Sequence, residues 1–185
     1  DWAGTSSAVG QFGIMVGLRR GQSVEVLAEA GGVCSCPALR TTSHRAELTG
    51  LIAAIALLYV WADYGGKVEL WLDNEAVVNG ASLLLGGESA VGRFHSGRKL
   101  MAAKQDGYTN RDAWMSERTD RDLWEVLEAL VQRVTAGGVK LASLIEVQWV
   151  RSHADRDMAV ELLPWNEWGN VWADGICNRL KKVVP

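Results

Sequence analysis

The first part of the chain alternates apolar and polar positions in two short stretches. Residues 11–18 and 24–30 both show the period of two that places every second side chain on one face of a β-strand. The connection between them, residues 19–22, consists of two arginines, a glycine and a glutamine, which is short and polar enough for a turn. We therefore predict an antiparallel β-hairpin.

Helical spacing begins after this hairpin. Residues 44–62 carry apolar side chains such as Leu48 and Leu51 every three or four positions, which predicts a helix with one face in a core. Hydroxyl residues at 41–43 are typical of a helix N-terminus. The apolar run at 68–72 predicts a strand, and a helix followed by a strand favours a parallel crossover.

The pattern weakens in the middle of the chain and then returns. Residues 81–115 are rich in Gly, Ser and basic side chains and are predicted to form an insertion. A helix at 120–136, a strand at 145–150, a long polar loop at 155–168 and a helix at 169–181 follow. These elements predict an α/β fold with a mixed five-stranded sheet, in which the hairpin strands are antiparallel and the others parallel, flanked by helices.

Composition limits the class of protein and its compartment. A chain of 185 residues, 48% hydrophobic and 22% charged, fits a single domain over residues 1–185. The net charge of −3 means that any nucleic-acid binding needs a local basic patch. The longest apolar run, residues 51–62, is shorter than the roughly 20 residues that cross a bilayer, and no signal peptide is visible. We expect an intracellular domain, in the cytoplasm or nucleus, with no membrane partner, excised from a longer chain because it begins on Asp1 rather than on Met.

Four acidic residues fall where a single carboxylate is costly to bury. Asp1 opens a truncated first strand, Glu47 lies in the first turn of the long helix, Asp73 ends the strand at 68–72, and Asp174 lies within the last helix. Carboxylates about 4 Å apart repel by roughly 4 kcal/mol at an effective dielectric of about 20, so a cluster of them requires a cation. Oxygen ligands favour Mg²⁺ or Mn²⁺. Each acid taken alone is more typical of a turn or a helix cap, so these residues indicate only an α/β domain with a candidate metal site.

Four segments, in order along nearly the whole chain, resemble the type 1 ribonuclease H family. They are Thr-Ser-His-Arg-Ala-Glu-Leu at 42–48, Leu-Trp-Leu-Asp-Asn at 70–74, Asp-Leu-Trp with a later leucine at 122–127, and Trp-Val-Arg-Ser-His at 149–153 followed by Asn-x-x-Ala-Asp ending at 174. One departure is that Asp1 is followed by Trp2 rather than by Gly. The resemblance is closest to the ribonuclease H domains of retroelement reverse transcriptases, which implies a covalently linked reverse transcriptase domain as a partner.

The resemblance implies hydrolysis of the RNA strand of an RNA–DNA hybrid by two Mg²⁺ ions, about 3.5–4 Å apart, with Mn²⁺ as a substitute. Asp1 would bridge both ions, and Glu47, Asp73 and Asp174 would complete their ligand shells. His153 would assist proton transfer or product release, because imidazole changes charge near neutral pH.

Further residues are assigned to the hybrid by the same resemblance and by the basic insertion. Some would contact phosphates, and others, together with Glu47, would contact the 2′-hydroxyl that distinguishes RNA from DNA. The residues predicted to contact nucleic acid are Thr42, Ser43, His44, Arg45, Asn74, Arg98 and Lys99.

Three alternatives remain open. The chain could be a non-catalytic module of the same fold that binds nucleic acid or protein. It could be a related DNA-processing nuclease or transferase, such as a transposase, an integrase or a proofreading exonuclease. It could also be an unrelated α/β metal protein.

Overall fold

The computed structural model describes residues 10–34, 42–60, 67–85, 120–136 and 144–180. In chain order, the elements in these segments are the strands and helices β1 (Gly10–Arg20), β2 (Ser23–Cys34), α1 (Ser43–Val60), β3 (Val68–Leu72), α2 (Glu75–Leu84), α3 (Arg121–Ala136) and β4 (Ile145–Trp149), then two 3-10 helices (Ala154–Arg156 and Val160–Leu162) and α4 (Trp165–Leu180). Three residues of the predicted site, Asp1, Arg98 and Lys99, lie outside the described residues.

β1 and β2 form the antiparallel hairpin that the alternating pattern predicted. The register runs from Gly10 opposite Cys34 to Arg20 opposite Ser23. Gly21 lies in the turn with a φ of 65°, a left-handed conformation that glycine adopts without steric cost. Both strands extend beyond their predicted ends, because backbone pairing continues where the side-chain alternation fades.

The described residues contain the mixture of antiparallel and parallel strands predicted for an α/β chain, but they do not form a five-stranded sheet. β3 and β4 pair in parallel, from Val68 opposite Ile145 to Leu72 opposite Trp149. The four strands of the described residues form two separate two-stranded sheets, so the prediction of one five-stranded sheet is wrong there. β1 pairs with β2 and β3 with β4, while the strand assigned to Asp1 falls outside the described residues.

The core lies among α1, α2, α3 and β4. Trp124 of α3 is fully buried with Leu48 of α1 and Val77 of α2. Gly80 allows this packing, because a Cβ there would lie 2.4 Å from an atom of the Trp124 ring. α2 was not predicted. It includes residues 81–84, the first residues of the predicted insertion, and Leu84 among them is buried in the core.

α4 packs against the hairpin and begins earlier than predicted. A Cβ on Gly13 of β1 would lie 2.2 Å from the carbonyl oxygen of Ala173, so this close approach requires glycine. Arg179 also donates a hydrogen bond of 2.7 Å to Glu29 of β2. The stretch predicted as a loop at 155–168 contains short 3-10 turns and the first residues of α4. In the described segments, no helix combines the length and the apolar character that crossing a membrane requires.

Candidate active site

The first turn of α1 is fixed by a helix cap and a buried arginine. Thr42 is the N-cap, because its Oγ1 accepts the backbone N–H of Arg45 at 3.1 Å. The Arg45 residue is only 6% exposed. Its guanidinium donates to Asp120 at 3.0 Å and to Asp122 at 3.0 and 2.5 Å. These contacts hold the start of α1 against α3 and thereby fix the turn that carries Glu47.

Asp73 directly follows β3, and its backbone is fixed on both sides. The Val150 N–H donates to the Leu72 carbonyl at 2.9 Å, and the Trp149 Nε1–H donates to the Asp73 carbonyl at 3.2 Å. Asn74 is the N-cap of α2, since its Oδ1 accepts the backbone N–H groups of Ala76 and Val77 at 3.1 and 3.3 Å. The side-chain oxygen of Asn74, which was predicted to contact nucleic acid, is therefore used within the protein.

Glu47, Asp73 and Asp174 come from three separate elements and interact in the folded chain. The pKa of Glu47 is raised from 4.5 to about 8. Burial of the carboxyl is the largest cause, followed by the negative charge of Asp73, a hydrogen bond between these two side chains, and the charge of Asp174. Of the four acids predicted to form one site, three are thus close enough to interact, and Asp1 lies outside the described residues.

His153 lies beside Asp174 in an uncommon backbone conformation. Its Nδ1 is 3.7 Å from Asp174 Oδ2, and its side chain is half-exposed. The backbone angles φ 52° and ψ 38° are left-handed, which few residues other than glycine adopt. The histidine therefore reaches both the acids and solvent, and its role in proton transfer stays a prediction.

The residues predicted to contact nucleic acid at the start of α1 fall into two groups. Thr42 and Ser43 are exposed. His44 is partly buried, with its Nδ1 3.0 Å from Asp120 Oδ2, and Arg45 is buried in its ion pairs. A phosphate contact through Arg45 would require those buried ion pairs to open, so the structure assigns this side chain to holding α1.

A cleft of about 190 Å³ lies between the hairpin and β3, with α1 and α4 along its sides. Glu47 and Asp174 both line it, together with Asn170. The side-chain nitrogen of Asn170 is buried and has no hydrogen-bond partner among the described residues. Buried donors are normally paired, so this amide is an uncommon feature of the cleft lining.

The three acids suit a divalent cation in chemistry but are not arranged as a finished ligand set. Carboxylate oxygens are preferred by Mg²⁺ and Mn²⁺, and the charges of Asp73 and Asp174, which add to burial in raising the pKa of Glu47, are charges that a cation would neutralise. Within the described part of the chain, no three His, Cys, Asp or Glu side chains already surround one point. Glu47 and Asp73 share a hydrogen bond instead, so a cation has to displace a proton.

One contact beside the site was not predicted. Arg151 donates to Asp157 at 3.0 Å and to Glu167 at 3.2 Å, and so connects the His153 loop to the first turn of α4. No period of a helix or a strand relates residues 16 positions apart, so the sequence carries no local signal for this pairing.

The fold and site define a mixed α/β chain in which acids from a helix, a strand end and a second helix meet beside a histidine. No protein-family model matches the chain, and no match is found among curated proteins or solved structures. Its function is therefore argued from the site itself.

Proposed function

We propose that this chain is a metal-dependent nuclease of the ribonuclease H class, which hydrolyses the RNA strand of RNA–DNA hybrids. The supporting observation is that Glu47, Asp73 and Asp174, selected by resemblance from distant parts of the sequence, lie close enough for the charges of Asp73 and Asp174 to add to the burial that raises the pKa of Glu47 to about 8. Burying like charges together is unfavourable, and such perturbed groups cluster at functional sites.

Glu47, Asp73 and Asp174 would hold divalent cations, with Asp1 as the further ligand implied by the resemblance. Bound Mg²⁺ supplies an activated water and stabilises the charge that develops on the phosphate and leaving oxygen. The part played by Glu47 is to release its proton and become a ligand. Because its pKa is about 8, protons compete with cations throughout the neutral range.

His153 is the group best placed to move a proton. The negative charge of Asp174 lies beside Nδ1, which leaves Nε2 on the opposite edge of the ring. The side chain is half-exposed, so the imidazole is accessible to solvent. We therefore assign to His153 the protonation of a leaving oxygen or the release of product.

We assign contact with the hybrid to the exposed residues at the start of α1 and not to the buried side chain of Arg45. Ser43 and Thr42 present hydroxyl groups there, and helix N-termini present backbone N–H groups that suit phosphate. Discrimination of RNA from DNA requires a group that recognises the 2′-hydroxyl, for which Glu47 and Ser43 are the candidates implied by the resemblance.

The test uses Asp73→Asn, which removes one negative charge and keeps the shape of the side chain. Labelled RNA–DNA hybrid, duplex DNA and duplex RNA are each incubated with Mg²⁺, Mn²⁺ or chelator. We expect the wild type to cut only the RNA of the hybrid and only with metal, and the variant to cut nothing while its melting temperature stays the same or rises. Glu25→Gln, on the exposed hairpin and paired with Arg20, is the matched loss of charge away from the site.

Three other results would change or contradict the proposed function. Full activity of Asp73→Asn removes this residue from the mechanism. Cleavage of duplex DNA in preference to the hybrid would identify a DNA-processing enzyme. Absence of cleavage by the wild type, with a melting temperature that metal does not change, would contradict the proposal and favour a non-catalytic module.

A further inference from the structure

The loop between β4 and α4 holds His153 in a conformation that its own backbone disfavours. Left-handed angles in a residue other than glycine persist where surrounding contacts enforce them, and such residues concentrate at functional sites. Ala154, the next residue, is buried and anchors one side of the loop. The His153 and Ala154 carbonyls accept the N–H groups of Arg156 and Asp157 at 3.1 and 3.2 Å, which closes the turn, and further side-chain contacts connect this turn to α4.

Arg151 supplies these contacts. Its Nη1 donates to Asp157 at 3.0 Å, and its Nη2 donates to Glu167 at 3.2 Å. Asp157 follows the 3-10 helix after His153, and Glu167 lies in the first turn of α4, the helix that also carries Asp174. A planar guanidinium offers its donors in a fixed fork, so it sets the separation of two carboxylates as a flexible ammonium does not.

We infer that Arg151 is a positioning residue, which acts through Asp157 and Glu167 to hold the His153 imidazole beside Asp174. This inference rests on the proposed function for its effect on rate. Both Arg151 and Asp157 are substantially exposed, and exposed ion pairs contribute little to stability. We therefore expect loss of these contacts to leave the fold intact and to act only on the loop that carries His153.

The kinetic test compares Arg151→Ala, His153→Ala and the double variant on a labelled RNA–DNA hybrid with Mg²⁺. We expect Arg151→Ala to lower kcat by about tenfold or more, with KM for the hybrid within about twofold, because an imidazole that assists proton transfer is misplaced. Because both variants act on the same group, the double variant should be no slower than His153→Ala. Arg151→Lys should stay slow, since an ammonium does not bridge both carboxylates.

A direct role of Arg151 on phosphate gives the opposite pattern. In that case Arg151→Ala raises KM, Arg151→Lys retains most of the activity, and the losses in the double variant add. Any of these three results overturns the positioning role. Arg121→Ala is the matched control, because Arg121 is also exposed and bonded to a carboxylate, Glu125, at 2.7 Å. It should change neither kcat nor KM.

A second measurement does not depend on activity. The chain has three histidines, so the ring C–H signals of His153 can be assigned by NMR. We expect Arg151→Ala to shift or broaden the His153 signals and to leave those of His44 unchanged, whereas Arg121→Ala leaves both unchanged. Unaltered His153 signals in Arg151→Ala would overturn the inference. Failure of the wild type to cut the hybrid, with the NMR result as expected, would instead overturn the proposed function alone.

Discussion

Glu47→Gln is expected to stabilise the metal-free protein at alkaline pH and to leave its stability unchanged at acidic pH. The carboxyl of Glu47 has an ordinary pKa of 4.5, which applies to the unfolded chain, and a folded pKa of about 8. A pKa that is higher in the folded state contributes stability below pH 4.5, and this contribution is lost as the pH rises to about 8. Gln resembles the protonated carboxyl and does not titrate, so only the wild type loses stability over this interval.

The size of the difference follows from the pKa. Each tenfold change in proton affinity is about 1.4 kcal/mol, so a rise from 4.5 to about 8 sets an upper limit of about 4–5 kcal/mol. The side chain of Asp174 is 42% exposed, so water and salt screen part of its repulsion. We expect the variant to be more stable than the wild type by about 2–3 kcal/mol near pH 9 and equally stable near pH 4.

Urea unfolding followed by far-UV circular dichroism, in chelator and at several pH values between these limits, measures the difference. Addition of Mg²⁺ at high pH should stabilise the wild type by ligand linkage and should have less effect on Glu47→Gln. Glu25→Gln reports the effect of losing a carboxylate on the exposed hairpin. A difference between Glu47→Gln and the wild type that is the same at every pH would refute the reasoning, because the pKa of Glu47 would then be the same in the folded and the unfolded chain.

Two further variants test how α1 is held. Arg45→Ala should lower the free energy of unfolding in urea by about 2–3 kcal/mol, because the buried carboxylate of Asp120 loses its guanidinium partner and keeps the contact with His44. A loss below about 1 kcal/mol would show that water replaces the guanidinium. Thr42→Ala should lower the free energy of unfolding by about 1 kcal/mol through loss of the α1 cap, whereas Thr42→Ser should retain the cap. Equal stability of the Ala and Ser variants would contradict a capping role for Thr42.

The elements with a strong local pattern were predictable from the sequence, and α2 shows why others were not. β2 alternates between exposed and half-buried positions over its whole length, and α1 carries apolar side chains over most of its length. α2 is short, contains β-branched Val77 and Val78, and has Gly80 in its interior, all of which lower intrinsic helix propensity. It is helical because it packs on Trp124 and is capped by Asn74, and tertiary packing of this kind leaves little trace in a local window.

The candidate site was predictable only through resemblance. Nothing in the local sequence relates Glu47 to Asp73 or to Asp174, because their interaction depends on how three elements pack. The role of Arg45 was unpredictable for the same reason, since its partners lie 75 and 77 residues away on α3. A basic side chain beside a predicted nucleic-acid contact indicates phosphate binding just as well as it indicates a buried ion pair.

The like charges of the site can be balanced in two ways, by a proton or, under the proposed function, by a cation. A proton on Glu47, stabilised by its hydrogen bond to Asp73, lowers the charge of the cluster by one when no cation is bound. The contacts that fix the surrounding elements, such as the ion pairs of Arg45 and the cap made by Asn74, do not involve the acids. Exchange of the proton for a cation therefore changes the charge of the site without removing what holds it. The proposed function therefore predicts that chelation stops hydrolysis of the hybrid and leaves the fold intact, unlike a structural metal site, where metal binding and folding are one event.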